Sequence, residues 1–374
     1  MKIMVIAGTR PEAIKVAPIV IELKKRPQIY TLLCNSGQHK QMLDEVFADF
    51  KLVPDIALNV MSDNQSLASL TARLFESFER ILEKEKPDLI VVQGDTTTVM
   101  VAAMCAYYRG IKIAHIEAGL RSFNKHAPFP EEVNRQIVTR IADLHFAPTR
   151  NAYANLIREG IDPDYAFVTG NTVIDSLMRA KELSLGKDEY LDGTVKHAIA
   201  DGKRIVLITA HRRENFGKGF DEICNAINSL ANKYEDCLFV FPVHLNPNVQ
   251  VPVKNLLKNT PRVYLIPPLS YFQFQALLRS SYLVLTDSGG LQEEAPALCK
   301  PVLIMRDVTE RPEGVKTGCA RLVGVKKQSI VDGVSLLLDC EDEYIKMTSA
   351  QNPYGHGHSA ERIVDAILRT SELK

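Results

Sequence analysis

No Cys-x-x-Cys pair occurs in this chain, whose seven cysteines (Cys34, Cys105, Cys224, Cys237, Cys299, Cys319 and Cys340) are scattered through 374 residues. Their number is odd and most lie among apolar neighbours. That argues against a disulfide framework or a zinc site and for buried, reduced thiols. Neither sign of charge is in excess, with 45 Lys plus Arg against 45 Asp plus Glu. The broad basic field that non-specific nucleic-acid or membrane binding relies on is therefore missing, and any anion site must be local. No apolar run is long enough to span a bilayer, and the opening MKIMVIAGTRPEA enters a turn too soon for the apolar core of a signal peptide. A cytoplasmic protein is expected. Sequence repeats and low-complexity tracts are also lacking.

What is present is an ordinary globular composition, 46% hydrophobic and 24% charged, over a length that supports two cores. Short apolar runs at Lys2–Ala7, Tyr30–Asn35, Asp88–Gln93, Lys112–Ile116 and Leu144–Ala147 read as buried strands. Between them, Ser66–Glu85 places Leu67, Leu70, Leu74, Phe78, Ile81 and Leu82 at helical spacing, and Thr97–Arg109 and Glu131–Ala142 are similar. Pro18 inside the first amphipathic stretch leaves the start of that helix open. The segment Lys181–Lys203, charged and weakly periodic, reads as a connection or surface insertion. The alternation then resumes with strands at Arg204–Thr209, Leu238–Val243, Val263–Ile266, Tyr282–Thr286 and Pro301–Met305, followed by a last helix over Ser359–Arg369 that could pack on either half. Strand–helix alternation predicts parallel sheets covered on both faces. The expected fold class is therefore α/β, with two domains over residues 1–170 and 171–354 and a terminal helix at about 355–374.

In such sheets ligands bind beyond the carboxyl ends of the strands. Those positions carry polar groups here: Gly8-Thr9-Arg10, Gly94-Asp95-Thr96, Glu117-Ala118-Gly119, His211-Arg212-Arg213, Asp287-Ser288-Gly289-Gly290 and Arg306-Asp307. Two sheets facing each other across a cleft would present them together. Ser288, Gly289 and Gly290, between a strand and a helix at Leu291–Leu298, could bring free N–H groups to a phosphate, or could be a turn that simply starts the helix. Arg10, Lys15 and Arg311 could supply the charge a diphosphate needs. Asp95, Glu117 and Glu131 are carboxylates near strand ends, equipment for moving protons. For Glu131 in Pro130-Glu131-Glu132, stabilisation of a first helical turn explains the residue equally well. His211 could be a general acid, a phosphate donor or a core histidine. His39, His115, His244, His356 and His358 lack the helical ligand spacing with a carboxylate that a metal site would show.

Nine ordered motifs make the constellation specific. They are Gly8-Thr9-Arg10-Pro11-Glu12-Ala13, Gly94-Asp95-Thr96-Thr97-Thr98, His115-Ile116-Glu117-Ala118-Gly119-Leu120-Arg121, Pro130-Glu131-Glu132, Thr169-Gly170-Asn171-Thr172, His211-Arg212-Arg213-Glu214, Pro242-Val243-His244-Leu245-Asn246-Pro247, the run Asp287–Pro296 and Thr309-Glu310-Arg311-Pro312-Glu313. Together they resemble the non-hydrolysing UDP-N-acetylglucosamine 2-epimerases from Lys2 through Asn352-Pro353-Tyr354-Gly355 and the helix beyond. The resemblance implies two Rossmann-like domains of the GT-B type facing across a cleft, a homodimer, and UDP-N-acetylglucosamine and UDP-N-acetylmannosamine as substrates, with no metal or cofactor. Carried over by position, Arg10, Lys15, His211, Phe274, Ser288, Gly289, Gly290, Glu294 and Arg311 would hold UDP, with Glu294 on the ribose. Asp95, Glu117 and Glu131 would form the catalytic carboxylate set, with His211 beside them. Gln93 stands where many members have histidine. Gln38, Gln41, Glu131, Arg212 and His244 match a second, activating UDP-N-acetylglucosamine site of some bacterial members, whereas Asn64 replaces an arginine found there in some.

The chemistry explains the equipment. The proton at C2 of the sugar is not next to a carbonyl, so it becomes removable only if UDP departs from C1 and charge develops on the ring. A diphosphate clamp and carboxylates for removing and returning the proton are the required parts. Rivals are a hydrolysing epimerase that releases free N-acetylmannosamine, a glycosyltransferase of the same fold, and a non-catalytic nucleotide-sugar sensor.

Overall fold

The computed structural model describes residues 1–37, 40–61, 65–184 and 190–372, with the side chains of 40–42, 184, 371 and 372 outside the description. Contacts divide the chain into two units, Met1–Arg179 with Tyr354–Lys374, and Ala180–Pro353. The division falls after Arg179 rather than at Gly170. Asn171 belongs with the first unit because its N–H donates to Tyr354 O (2.8 Å) and its side chain reaches Glu117.

The first unit holds seven parallel strands among the described residues: β1 (Lys2–Ala7), β2 (Tyr30–Asn35), β3 (Ile56–Ala57), β4 (Leu89–Gln93), β5 (Lys112–Ile116), β6 (Leu144–Ala147) and β7 (Ala166–Val168). Their order is β3-β2-β1-β4-β5-β6-β7. Val5, Ile90 and Val91 are fully buried, as expected of central strands covered on both faces. The chain reverses its direction of winding between β1 and β4, so Gly8–Arg10 and Gly94–Thr96 leave the sheet side by side at its switch point.

The helix after β1 spans Arg10–Lys24 and answers the question raised by Pro18. Thr9 and Glu12 form a capping box at its start. Pro18 cannot donate to the carbonyl of Ile14 one turn earlier, and that carbonyl instead accepts from Ser176 Oγ at 2.5 Å. The helix therefore continues through the proline. The terminal helix Ser359–Glu372 packs on this first helix, with Arg26 Nη2 2.9 Å from Asp365 Oδ1, and Asp175 Oδ1 accepts from Ala360 N at 2.8 Å.

The second unit repeats the design with β8 (Arg204–Thr209), β9 (Cys237–Pro242), β10 (Val263–Ile266), β11 (Leu283–Thr286), β12 (Val302–Ile304) and β13 (Ala320–Leu322), in the order β10-β9-β8-β11-β12-β13. Its switch point lies between β8 and β11, where Ala210–Arg212 and Asp287–Gly290 emerge. Each unit is a doubly wound, Rossmann-like α/β sheet.

One expectation differs from the structure, and three short strands had no counterpart in the sequence pattern. The segment Lys181–Lys203 is more than a connection: Gly193–Ala200 is a helix whose Val195 and Ala198 are buried in the core beside Ile205 and Leu207. Short strands β3, β7 and β13 were not legible, because two or three residues give no periodicity. Among the described residues no helix is long and apolar enough to cross a membrane.

Candidate functional site

At the switch point of the first unit a network of charged groups has formed. Glu117, 9% exposed, follows β5 with a positive φ of 64°, a conformation that non-glycine residues seldom adopt. Its carboxylate accepts from Lys15 Nζ at 2.8 and 2.6 Å, from Gln93 Nε2, and from Asn171 Nδ2 at 3.4 Å. Asp95, on the neighbouring loop after β4, is bonded to Arg135 Nη2, and Asn134 Nδ2 donates to its backbone carbonyl at 2.9 Å. Burial raises the Asp95 carboxyl above the usual range; Arg135 and Lys15 pull it down, and the carboxylates of Glu117 and Glu131 push it up. Glu117, Glu131 and Lys15 thus all lie within electrostatic reach of Asp95.

Supporting residues fix this cluster. Glu12 is buried, and its Oε2 accepts from the N–H groups of Gly8 (2.9 Å) and Thr9 (2.6 Å) while Oε1 accepts from Thr96 Oγ1 (2.7 Å). It ties the loop after β1 to the loop after β4. Glu132 accepts from Ser122 N at 3.0 Å, Phe123 N at 3.2 Å and Arg135 Nη1 at 3.3 Å, so of the adjacent pair Glu132 is the structural member and Glu131 is left half-buried at the helix start. His115 on β5 bonds Gly94 O through Nε2 at 2.8 Å, and burial holds it at about 3, neutral in ordinary buffers.

In the second unit Asp287, fully buried, gathers the loop after β8. It accepts from His211 N at 3.1 and 2.9 Å, Arg212 N at 2.8 Å and Asn215 Nδ2 at 3.1 Å. The His211 ring stacks on His244, centroids 5.5 Å apart, and burial lowers its affinity for a proton while Asp287 works the other way. Ser288 N donates to Thr286 Oγ1 at 2.9 Å. Gly289 is pressed against arginine: a Cβ there would lie 2.6 Å from Arg311 Nη1 and 3.4 Å from Arg212 Nη2. Arg311 is held by Glu293 Oε1 (2.5 Å) and Glu310 Oε1 (3.0 Å). Glu294, 8% exposed, accepts from Gln275 Nε2 at 2.8 Å, and Phe274 packs at the edge of the apolar core.

The structure therefore brings Asp95, Glu117 and Glu131 together in the first unit, and His211, Ser288, Gly289 and Arg311 together in the second. Lys15, expected among the diphosphate groups, is the ion-pair partner of Glu117, its place on the first helix aiming it at the end of β5. Arg10 opens the same helix near Asp49. Of the residues matched to a second nucleotide-sugar site, Arg212 and His244 lie beside His211, whereas Gln38, the Gln41 side chain and Asn64 fall outside the described residues. Asn171 and Arg135 were given no role in the site from sequence, and Gln93 and Asp287 were noted only by position, as a departure from the family pattern and as a polar strand end. A polar residue at or just beyond the end of a buried strand was the available signal for Gln93 and Asp287. Among the described residues no group of three or more His, Cys, Asp or Glu is placed to hold a metal.

A family model described as UDP-N-acetylglucosamine 2-epimerase matches residues 21–368. The UDP-N-acetylglucosamine 2-epimerase of Campylobacter jejuni is 47% identical over 374 residues, covering 98% of this chain and 97% of the relative. That of Escherichia coli K12 is 46% identical, covering 98% of each. Among solved structures, UDP-GlcNAc 2-epimerase from Neisseria meningitidis bound to UDP-GlcNAc superposes with a TM-score of 0.93 at 44% identity, covering 99% of this chain and 100% of the other. The Methanocaldococcus jannaschii UDP-GlcNAc 2-epimerase in complex with UDP-GlcNAc and UDP gives 0.82 at 36% identity, covering 99% and 100%.

Proposed function

The chain belongs to the UDP-N-acetylglucosamine 2-epimerase family, and from that premise we propose that it interconverts UDP-N-acetylglucosamine and UDP-N-acetylmannosamine without hydrolysing either. The observation that carries this reading is the cluster of Asp95 and Glu117, each bonded to its own cation, with Glu117 close enough to raise the proton affinity of Asp95. Two carboxyl groups in unequal surroundings suit a reaction that removes a proton from one face and returns it to the other.

In the proposed route UDP leaves C1 with the bonding electron pair, a carboxylate takes the C2 proton, and a C1–C2 double bond remains in the 2-acetamidoglucal. Protonation of C2 on the opposite face and return of UDP to C1 complete the epimerisation. Lys15 and Asn171 orient Glu117, and Arg135 orients Asp95 while opposing the rise in its proton affinity. The diphosphate is assigned to Arg10, His211, Ser288, Gly289, Gly290 and Arg311, whose positive charge and N–H groups stabilise the leaving group. Glu294 is assigned to the ribose hydroxyls, and Phe274 is assigned to the UDP site without a specific contact. A homodimer in the cytoplasm, making N-acetylmannosamine units for cell-surface polysaccharide, completes the reading.

Proton NMR of UDP-N-acetylglucosamine incubated with the protein in D₂O tests it. Expected is UDP-N-acetylmannosamine carrying deuterium at C2, with oxygen-18 in the C1–O–P bridge scrambling into non-bridging positions. Free N-acetylmannosamine as the first product would favour a hydrolysing enzyme. Epimer formed with its original C2 hydrogen would remove the elimination route.

A further inference from the structure

The second unit holds a carboxylate that the assignments above leave without a task. Glu310 lies in the loop before the helix Pro312–Thr317, and three guanidinium groups converge on it. Its Oε1 accepts from Arg311 Nη1 at 3.0 Å and lies 3.6 Å from Arg212 Nη2; its Oε2 accepts from Arg306 Nη1 at 2.7 Å. Although burial alone would favour the protonated form, Arg311, Arg306 and Arg212 hold its carboxyl down at about 2, so it is charged in every ordinary buffer. Two of the three arginines, Arg311 and Arg212, are those that crowd Gly289.

The charges balance within the cluster. Arg311 also pairs with buried Glu293, and Arg306 with Glu214, so three cations face three carboxylates. A neutralised cluster attracts an anion more weakly than bare arginines would, because Nε and Nη1 of both Arg311 and Arg306 already donate to carboxylates. Glu310 differs from the other two carboxylates in bridging the arginines through their terminal nitrogens, the atoms that planar, two-oxygen acceptors such as phosphates take. Glu293 and Glu214 instead accept from the Nε atoms. Arg311 would therefore keep its orientation from Glu293 if Glu310 lost its charge.

We propose that Glu310 is a built-in competitor for the phosphate-facing nitrogens of Arg311 and Arg212, which weakens binding of the UDP diphosphate and so lets product leave. The inference rests on the assignment of UDP to this unit. Glu310 acts through the two arginines and is a positioning residue rather than a catalytic one. Its presence trades affinity for turnover, since binding the ground state more tightly does not by itself speed the chemical step.

Calorimetric titration of the full-length protein with UDP, alongside steady-state kinetics, tests it. For Glu310→Gln we expect UDP to bind about tenfold more tightly, on the order of one lost charge-assisted contact to be displaced, with KM for UDP-N-acetylglucosamine and kcat both reduced. Glu214→Gln removes the same charge from the far side of Arg306 and should leave UDP affinity within about twofold, since its partner atom is Nε. Glu310→Asp, which keeps the charge but is too short to span Arg306 and Arg311 together, should tighten binding to a smaller degree and guards against a misfolded glutamine variant. Unchanged or weaker UDP binding in whichever Glu310 variant folds, or equal tightening in Glu214→Gln, overturns the proposal. Wild-type protein that binds no UDP at all would overturn the assignment beneath it instead.

Discussion

At the scale of single residues, the roles proposed for Asp95 and Glu117 rest on what each is bonded to. Glu117→Gln and Asp95→Asn should each lower kcat by about 100-fold or more while UDP affinity stays nearly constant, because acid–base groups act on the reacting centre and not on the leaving nucleotide. Calorimetry and initial rates on the same preparations separate the two effects. The pH dependence carries a sign. Burial raises Asp95 and Arg135 lowers it, so removing the cation in Arg135→Gln must raise it further. Whichever limb of the kcat/KM profile Asp95 sets will move to higher pH, and the opposite limb will stay; a profile that does not move would separate Asp95 from the rate. Asp95 and Glu117 were visible as candidates because they follow apolar strands. Their partners were not, since Lys15 and Glu117 are far apart in the chain and only the winding of the sheet makes them neighbours.

At the scale of elements, adjacent strands carry a paired liability. His115 on β5 and His145 on β6 are in register, buried, and held at about 3 and about 4 by loss of solvent. In the unfolded chain both titrate near the ordinary value of about 6.5. Between those values the unfolded state binds more protons than the folded one, so stability is greatest above pH 6.5 and falls as pH drops toward 4. The slope approaches about 1.4 kcal/mol per pH unit for each histidine. Urea midpoints for wild type, His115→Asn and His145→Phe between pH 5 and 7.5 check this, with each replacement expected to remove about half of the histidine-dependent slope. A second element-level expectation concerns the loop after β11. In Gly289→Ala the new methyl would sit 2.6 Å from Arg311 Nη1, so the arginine must move, and UDP affinity should fall with the fold intact. An unchanged UDP affinity in calorimetry would show that this guanidinium is not set by the glycine.

At the scale of the whole molecule, the chain returns to its first unit at the end. Tyr354 is 2% exposed, and Ile363, Val364, Ala366 and Ile367 are buried on that side. Deleting 354–374 should therefore destabilise the first unit, exposing its amides to hydrogen exchange, while the amides of β8 and β11 keep their protection. Equal loss in both units would contradict the division. The two-unit architecture was legible because central parallel strands must be apolar on both faces and their helices on one, which leaves alternating runs in the sequence. The polar residues after those runs marked the site for the same reason: the strand ends are where a covered sheet meets solvent. Sequence alone thus determined the fold class and marked the strand ends at which the candidate carboxylates lie, whereas the strand order and both switch points came from the tertiary structure. Only the tertiary structure decided which unit received the last helix, that Ser176 relieves Pro18, and which cation faces which carboxylate. Those outcomes depend on contacts between residues distant in the chain, and charge pairing leaves no periodic trace in a sequence.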